Sequence, residues 1–254
     1  MKETPVIVIF DIGKTNKKLL LFDEQYGVVY EQSSQLAETK DEDGDPCEDI
    51  DVLTNWVVDQ FKAISNDKRF LIRAVNVSAY GASFVYLDEN GKVLTPLYNY
   101  LKSYPEHVLQ KFFKNYGPQE LISRETASPV LRSLNSGLQL YRMKYEKPEL
   151  FHKIRTALHL PQYLSYVLSS NKHAEITSIG CHTFLWNFST HNYHSWVHEE
   201  GIDKQFPKII AADSIAGSTN ENIPVAAGIH DSSAALIPAI LQRIAAFKQH
   251  CRIS

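Results

Sequence analysis

The sequence contains few cysteines, no excess of positive charge and no long apolar run. Its three cysteines, Cys47, Cys181 and Cys251, are far apart and match no zinc-ligand spacing, which disfavours both a disulfide framework and a zinc site. This cysteine usage is simplest in a reducing cytoplasm. With 26 Lys and Arg against 29 Asp and Glu, the net charge is −3. That balance argues against nucleic acid as the main partner.

The first residues also show no pattern typical of a targeting signal. Met1 to Pro5 lead directly into a strand-like run without the features of a signal peptide. The longest apolar stretches are far below the ~20 residues that cross a bilayer, so no membrane partner is expected. The 254 residues, 44% of them hydrophobic, predict an ordinary globular protein of one large domain or two small ones.

The first 23 residues predict a β-hairpin with a polar turn. One apolar run ends on Asp11 and a second ends on Asp23, so we expect strands over 5–11 and 18–23. Such a turn could hold a metal and phosphate oxygens: the glycine permits close approach, the carboxylate suits Mg²⁺, and hydroxyl, amide and ammonium groups donate. The residues concerned are Asp11, Gly13, Lys14, Thr15, Asn16, Lys17 and Lys18. From these residues alone, a tight hairpin with solvated lysines is an equal alternative.

The rest of the first hundred residues predicts further strands around one helix. A third strand is expected over 28–32, a helix over 49–65 and a strand over 71–78. Asn90-Gly91 predicts a second hairpin that joins residues 83–87 to 92–94. The acidic stretch 38–51 is interpreted as a solvated loop, with a cation site as the alternative.

The next part of the chain is predicted to be mostly helical. Apolar spacing and proline positions indicate helices over 105–116, 118–123, 136–145, 148–157 and 161–168. Residues 173–200 are rich in histidine and tryptophan, but His191, His194 and His198 match no zinc spacing and are interpreted as surface or structural residues. A last strand over 223–228 leads into a strand-to-helix turn at His230 and Asp231.

Four groups of motifs, in the order expected for one family, resemble the FGGY family of carbohydrate kinases over residues 5–238. They are Asp11 to Lys18; Ser78 to Ala82 with the turn 87–91 and Pro96 to Tyr100; Pro161 to Leu164 with Glu175 to Ser178; and Ile223 to Asp231. The His230-Asp231 pair with Ala235 is most similar to rhamnulokinase-like members. The resemblance implies an α/β, ribonuclease H-like fold, in which a mixed sheet is flanked by helices and carries a helical insertion.

The resemblance also implies a reaction and roles for individual residues. ATP would phosphorylate a sugar hydroxyl, with Mg²⁺ as the metal, and the sugar would be a ketose such as a rhamnulose, fuculose or xylulose. Asp231 would be the general base and Asp11 would hold Mg²⁺ through water. The phosphate hairpin would also use Gly13, Thr15, Asn16 and Lys18. The candidates for sugar contact are Tyr80, Gly81, Ala82, Tyr98, Tyr100 and His230. For Tyr98 and Tyr100, a buried structural role is the favoured alternative.

Two departures from the family pattern set limits on these expectations. Lys14 and Asn16 replace the usual threonine and serine of the hairpin. Residues 239–254 do not resemble the family's continuation, and are expected to form an extra helix or tail. The second domain that holds the nucleotide is expected to be absent, so the chain alone would be weakly active or inactive. The alternatives are a non-catalytic sugar-binding fragment and an ATP-binding cousin of the actin or chaperone type, and a homodimer remains open.

Overall fold

The computed structural model describes residues 3–250, with side chains through residue 243. In this part of the chain, the strands are β1 (Thr4–Ile12), β2 (Lys17–Phe22), β3 (Val28–Ser34), β4 (Glu38–Lys40), β5 (Pro46–Glu48), β6 (Phe70–Ala79), β7 (Phe84–Leu87), β8 (Thr156–His159), β9 (Ala174–Glu175), β10 (Trp186–Asn187), β11 (Asn192–Tyr193), β12 (Ile209–Ile210), β13 (Ile215–Ser218), β14 (Pro224–Ala226) and β15 (Ile229–His230).

The α-helices alternate with these strands and are concentrated in the middle of the chain. They are α1 (Ile50–Ser65), α2 (Glu106–Tyr116), α3 (Gln119–Glu125), α4 (Ser136–Glu146), α5 (Pro148–Lys153), α6 (Leu160–Ser169), α7 (Ile176–Ile179), α8 (Ser195–Glu199) and α9 (Asp231–His250). No helix among the described residues is both long enough and apolar enough to cross a membrane.

The predicted three-stranded meander forms one half of the main sheet. Strand β1 pairs antiparallel with β2, which pairs antiparallel with β3. Alternate residues of β1, beginning with Val6 and Val8, are buried, as the period of two in a half-buried strand requires. Across the first pair, Asp11 lies opposite Lys18. The hairpin prediction is therefore confirmed.

In the other half of the main sheet, β6, β14 and β15 run parallel to β1, and only the edge strand β13 is antiparallel. The order is β13-β14-β6-β1-β2-β3, and β15 also pairs with β6. Both β1 and β15 run parallel to β6, and Asp11 and Ile229 each pair with Ser78. The carboxyl ends of these strands consequently meet at one edge of the sheet, where open α/β sheets bind their ligands.

Two apolar clusters divide the described residues. The first lies between the sheet and helices α1 and α6. Helix α1 begins next to Asp49, as predicted, because the Asp49 side chain accepts hydrogen bonds from the backbone N–H groups of Asp51 and Val52. The second fills the helical insertion with packed aromatic rings, in which Phe112 and Trp196 meet edge to face with 5.1 Å between ring centroids. The predicted helical insertion is thus a separate layer of packing beside the sheet.

Two predicted elements differ from the observed ones because their partners are distant in sequence. The turn before Gly91 forms, and Leu87 bridges Val93. However, β7 pairs along its length with β8 rather than with residues 92–94. The helix predicted over 148–157 ends at Lys153, and the four fully buried residues of β8 follow. A short run that is buried throughout does not reveal whether it is helical or extended.

The acidic stretch forms a small hairpin instead of a loop. Strands β4 and β5 pair, and the turn between them directs Asp41, Asp43 and Asp45 toward the ammonium group of Lys102. The first two carboxylates lie 2.5 and 2.7 Å from Lys102 Nζ. The positive charge at this acidic turn is therefore supplied by Lys102 of the chain itself, where the alternative prediction placed a bound cation.

The histidine-rich segment is structural in the described residues. His194 Nε2 lies 2.9 Å from Glu125 Oε2, and His198 Nδ1 lies 3.0 Å from Asp203 Oδ2. Among the residues that the structure describes, no group of three or more His, Cys, Asp or Glu side chains could hold a metal. Within the predicted tail, helix α9 continues to His250, whereas residues 251–254 lie outside the described residues.

Candidate active site

Two carboxylates, Asp11 and Asp231, lie at the ends of β1 and β15, the two strands that pair with β6 at Ser78. Burial is the main reason that the pKa of Asp11 is raised above its ordinary value. The positive charge of Lys18 opposes that shift, and the negative charge of Asp231 adds to it. The structure therefore brings together two predicted site residues that are 220 positions apart in the sequence.

The hairpin turn is open to solvent at its tip. Thr15 and Asn16 are exposed, and the Gly13 N–H donates to the Asn16 carbonyl at 2.9 Å. A Cβ added at Gly13 would lie 3.2 Å from that carbonyl oxygen, which is tight for a side chain. The Asn16 side chain accepts a bond from Gln35 at 3.1 Å. The tip thus keeps its shape through short local bonds and leaves polar groups free to meet a ligand.

The three lysines of this turn have different environments. Lys17 is buried, and its Nζ lies 2.8 Å from each carboxylate oxygen of Glu48. Tyr80 donates from its hydroxyl to the same glutamate at 3.1 Å. Lys14 pairs with Glu38 at the surface, and Lys18 lies 3.3 Å from Glu31. Lys17 is therefore a structural cation beneath the hairpin, contrary to the expectation that all three lysines offer charge to phosphates.

The end of β6 packs directly against the predicted catalytic turn. A Cβ added at Gly81 would lie 2.1 Å from His230 Cδ2 and 2.3 Å from Nε2, so only glycine leaves room for the imidazole. The rings of Tyr80 and Tyr100 lie 5.9 Å apart. The carbonyl of Ala82, a residue with φ of 66°, accepts a bond from Gln139 at 2.6 Å.

Tyr98 lies in the core of the insertion. Its hydroxyl donates to Glu42 at 2.6 Å, and its ring is 5.6 and 5.5 Å from the ammonium groups of Lys102 and Lys147. The adjoining cavity of about 40 Å³ has room for a few water molecules rather than a sugar. No contact among the described residues joins Tyr98 to Gly81 or His230. These contacts favour a structural tyrosine, so we leave Tyr98 out of the sugar site.

The segment that leads to Asp231 is held by side chains from several elements. Gly228 has φ of 69°, and a Cβ there would lie 2.5 Å from the Pro161 carbonyl oxygen. Five side chains form hydrogen bonds with the backbone of the segment that leads to Asp231: Ser165 with Ala226 O (2.7 Å), His173 with Ala227 O (2.7 Å), Asn76 with Gly228 N (3.1 Å), Gln162 with Gly228 O (2.8 Å) and Thr177 with His230 N (2.9 Å). We call residues 226–231 the base junction.

His230 and Asp231 are adjacent but differ in exposure. Burial is the main cause that lowers the pKa of His230; Asp231 opposes that shift, and His182 adds to it. His230 Nδ1 is buried without a protein partner, and Nε2 lies 3.7 Å from Asp231 Oδ1. The carboxylate of Asp231 is about one third exposed, and its Oδ1 accepts the Ser232 N–H at 2.6 Å. The site therefore combines a neutral imidazole with an accessible carboxylate.

The residues that fix the base junction were not assigned functions from the sequence. Asn76 interrupts the apolar strand β6, which is a signal that a buried polar group is needed there. Glu175 and Thr177 belong to a motif that the sequence indicated, but only the fold reveals that Thr177, which is bonded to Glu175, accepts the His230 N–H. Their partners are more than fifty positions away, so no spacing rule could have identified them.

Comparison with known proteins assigns the chain to a family. A sequence model of the FGGY family of carbohydrate kinases, N-terminal domain, matches residues 6–238. The chain belongs to the FGGY family. Its relatives include the rhamnulokinase of Mannheimia succiniciproducens, which is 28% identical over 68% of this chain and 36% of that protein. The L-fuculokinase of Salmonella typhi is 21% identical over 94% of this chain and 53% of that protein.

Solved structures agree with this assignment. A carbohydrate kinase from Novosphingobium aromaticivorans has a TM-score of 0.84 and is 25% identical, over 94% of this chain and 51% of that chain. A ligand-bound xylulose kinase from Lactobacillus acidophilus has a TM-score of 0.77 at 19% identity, over 92% of this chain and 49% of that chain. The predicted α/β, ribonuclease H-like fold is confirmed. The chain spans about a third to a half of the length of these relatives.

Proposed function

We propose that this FGGY chain forms the sugar-binding half of an ATP-dependent kinase that phosphorylates a ketose such as L-rhamnulose. The observation that carries the proposal is that Asp11 and Asp231 lie at the ends of the two strands that pair with β6 at Ser78, where His230 packs on Gly81. The names of the relatives, rhamnulokinase and L-fuculokinase, support a ketose as acceptor. Phosphoryl transfer requires positioning and charge neutralisation more than covalent chemistry, which suits this set of residues.

Asp231 is the proposed general base. Its carboxylate is partly exposed, and the Ser232 N–H uses one oxygen, Oδ1, so Oδ2 can accept the proton of a sugar hydroxyl. The position of Asp231 in the first turn of α9 favours its negative charge. Beside it, the unpartnered Nδ1 of His230 is suited to a hydrogen bond with another hydroxyl of the sugar.

The remaining sugar contacts are proposed from the end of β6. Gly81 allows the imidazole of His230 to lie against the backbone at the end of β6, and we expect the sugar to bind beside this pair. Tyr80 and Ala82 are the chain neighbours of Gly81, and the ring of Tyr100 lies 5.9 Å from that of Tyr80, whose hydroxyl is already bonded to Glu48. We therefore expect Tyr80 and Tyr100 to contribute ring surface rather than hydrogen bonds.

The residues on the hairpin side fit magnesium and phosphate. Burial is the main cause that raises the pKa of Asp11, and the negative charge of Asp231 adds to it; a divalent cation would favour the charged form of Asp11 against both effects. Magnesium is commonly bound by one or two carboxylates together with water and substrate phosphates, so Asp11 would suffice as its protein ligand. Gly13, Thr15, Asn16 and Lys18 would face the phosphates of ATP. When bound, the ion would neutralise phosphate charge.

A second candidate function is sugar binding without phosphoryl transfer by this chain alone. The matching family model is that of the N-terminal domain, and the chain spans about half of the solved sugar kinases that it resembles. By contrast, the fit between Gly81 and His230 gives no support to an ATP-binding cousin without a sugar site.

A binding and turnover experiment separates these possibilities. The chain is titrated by calorimetry with L-rhamnulose, L-fuculose and xylulose, and release of ADP is then measured with each sugar, ATP and Mg²⁺. Saturable sugar binding with sugar-dependent ADP release would support the kinase. Binding without ADP release would favour the second candidate, and the absence of binding to any ketose would contradict both.

A further inference from the structure

A buried carboxylate and a threonine lie behind the backbone of His230. Glu175, at the end of β9, is fully buried, and Thr177 is in the following turn of α7. Glu175 Oε1 accepts the Thr177 N–H at 2.7 Å, and Oε2 accepts the Thr177 hydroxyl at 2.5 Å. The oxygen of that hydroxyl accepts the His230 N–H at 2.9 Å.

These contacts form a chain of hydrogen bonds with a defined direction. The carboxylate of Glu175 accepts the hydrogen bond that the Thr177 hydroxyl donates, so the threonine oxygen is oriented to accept from the His230 N–H. A hydrogen bond to an ionised acceptor is stronger than one between neutral groups, and consecutive bonds polarise one another. The result is a fixed acceptor for the N–H of His230.

A buried carboxylate is costly unless it is well bonded, and here its bonds lead to the base junction. Burial raises the pKa of Glu175, while the bonds from Thr177 lower it. On its other side, the ring of His230 packs against Gly81, where an added Cβ would lie 2.1 Å from Cδ2. His230 is thus fixed both at its main chain and at its ring, and Asp231 follows directly.

We propose that Thr177, oriented by Glu175, is a positioning residue that fixes His230 and Asp231 for the bound sugar. The sugar-affinity part of this inference rests on the proposed function, whereas the hydrogen bond to His230 can be measured without any ligand. The carboxylate and the hydroxyl act through the backbone of His230 and need no contact with the sugar.

The test replaces the hydroxyl of Thr177 by a methyl group of similar shape. Thr177→Val leaves the buried His230 N–H and one oxygen of Glu175 without partners. We expect amide hydrogen exchange at His230, followed by NMR on the full chain, to become at least tenfold faster, and the affinity for L-rhamnulose to fall about tenfold. Thr177→Ser, which keeps the hydroxyl, should restore both values to those of the wild type.

A matched control separates positioning from a general loss of stability. Thr126 is buried, more so than the half-buried Thr177, and its hydroxyl donates to the Ile122 carbonyl at 2.7 Å in the insertion. Thr126→Val should leave the exchange of His230 and the affinity for L-rhamnulose unchanged. If Thr177→Val does not fold, Glu175→Gln serves instead, because its amide oxygen can still accept; it should accelerate exchange at His230 by a smaller factor.

The possible results have distinct meanings. Wild-type exchange and sugar affinity in Thr177→Val, or failure of Thr177→Ser to restore them, would overturn the proposal, as would wild-type exchange in Glu175→Gln if that variant is the one used. If the wild-type chain binds no ketose, the proposed function fails. The exchange rates at His230 in the variants then still decide whether Thr177 fixes this residue.

Discussion

The two segments that carry the aspartates of the site are held in different ways. The base junction, residues 226–231, is fixed by five buried or half-buried side chains from β6, α6, α7 and the turn before β9. The tip of the β1–β2 hairpin is held by one internal backbone bond and by surface contacts such as that between Asn16 and Gln35. Beneath that tip, however, Lys17 and Glu48 form a buried ion pair.

This difference suggests a division of labour within the proposed site. A general base must be within hydrogen-bond reach of one hydroxyl, so a preorganised junction favours catalysis. Phosphate groups can be met by mobile donors, and an open tip with exposed side chains can adapt to them. The hairpin is held beneath its tip by the buried pair of Lys17 with Glu48, and the tip itself is exposed to solvent. The base junction, in contrast, is held by side-chain hydrogen bonds along its length.

The largest effect is expected at Lys17, which is buried beneath the tip of the hairpin. Lys17→Met leaves the carboxylate of Glu48 buried without its cation, which should lower the free energy of unfolding by about 3–5 kcal/mol. Lys18→Met, at a half-exposed position, should lower it by less than about 1 kcal/mol. Urea denaturation followed by circular dichroism measures both. Equal losses would mean that the buried pair of Lys17 with Glu48 stabilises the fold no more than the surface pair of Lys18 with Glu31.

The next effect tests the role of the base junction in catalysis. In Asp231→Asn, sugar-dependent ADP formation should fall about 10²–10⁴-fold because the general base is lost, while the dissociation constant for the sugar stays within about threefold. Asp213→Asn, at an exposed carboxylate, is the control and should resemble the wild type in both assays. Unchanged ADP formation in Asp231→Asn would reject the assignment of the base.

A smaller effect concerns the histidine beneath the junction. His159 is fully buried, and burial lowers its pKa from 6.5 to about 3, with a further contribution from His230. Between these values the unfolded chain binds a proton that the folded chain does not. His159 therefore lowers the free energy of unfolding as the pH falls from 6.5 to about 3, by up to about 1.4 kcal/mol per pH unit.

Replacement of this histidine should remove its share of the pH dependence. His159→Asn cannot take up the proton, so its unfolding free energy should decline less steeply than that of the wild type below pH 6.5. Urea denaturation at several pH values gives the two slopes. His107→Asn changes an exposed histidine and should keep the slope of the wild type. A wild-type slope in His159→Asn would show that His159 is charged in the folded protein.

The smallest effect is expected at the tip. Asn16→Ala removes an exposed side chain, so the free energy of unfolding should change by less than about 0.5 kcal/mol and the sugar affinity should not change. The affinity for ATP should fall by about the value of one hydrogen bond, two- to tenfold. A loss of sugar affinity in this variant would mean that the tip and the base junction are not separate.

Much of the fold could be predicted because its signals are local. Two apolar runs around a polar turn predicted β1 and β2, and the period of α1 together with Asp49 predicted a helix and its start. The pairing of β7 with β8 could not be predicted, because seventy residues separate them and both are buried throughout. Sequence patterns contain little information about which of several buried strands will pair.

The site was predictable in its residue types and less so in its contacts. Asp11, Gly81, His230 and Asp231 lie together as the motifs indicated. The sequence did not reveal that Lys17 is buried or that Tyr98 bonds to Glu42, because a lysine or tyrosine has the same appearance in either environment. Asn76 and Thr177 act through backbone groups of distant residues, and no motif describes such bonds.

The central claim is that the sugar binds beside the packed pair of Gly81 and His230, and calorimetric titration with L-rhamnulose tests it most directly. A methyl group at Gly81 must displace the imidazole, whereas one at Gly13 needs a shift of only a few tenths of an ångström. We expect saturable binding by the wild type, binding at least tenfold weaker in Gly81→Ala, and wild-type affinity in Gly13→Ala. Equal affinity in Gly81→Ala and the wild type, or no saturable binding by the wild type, would contradict the account.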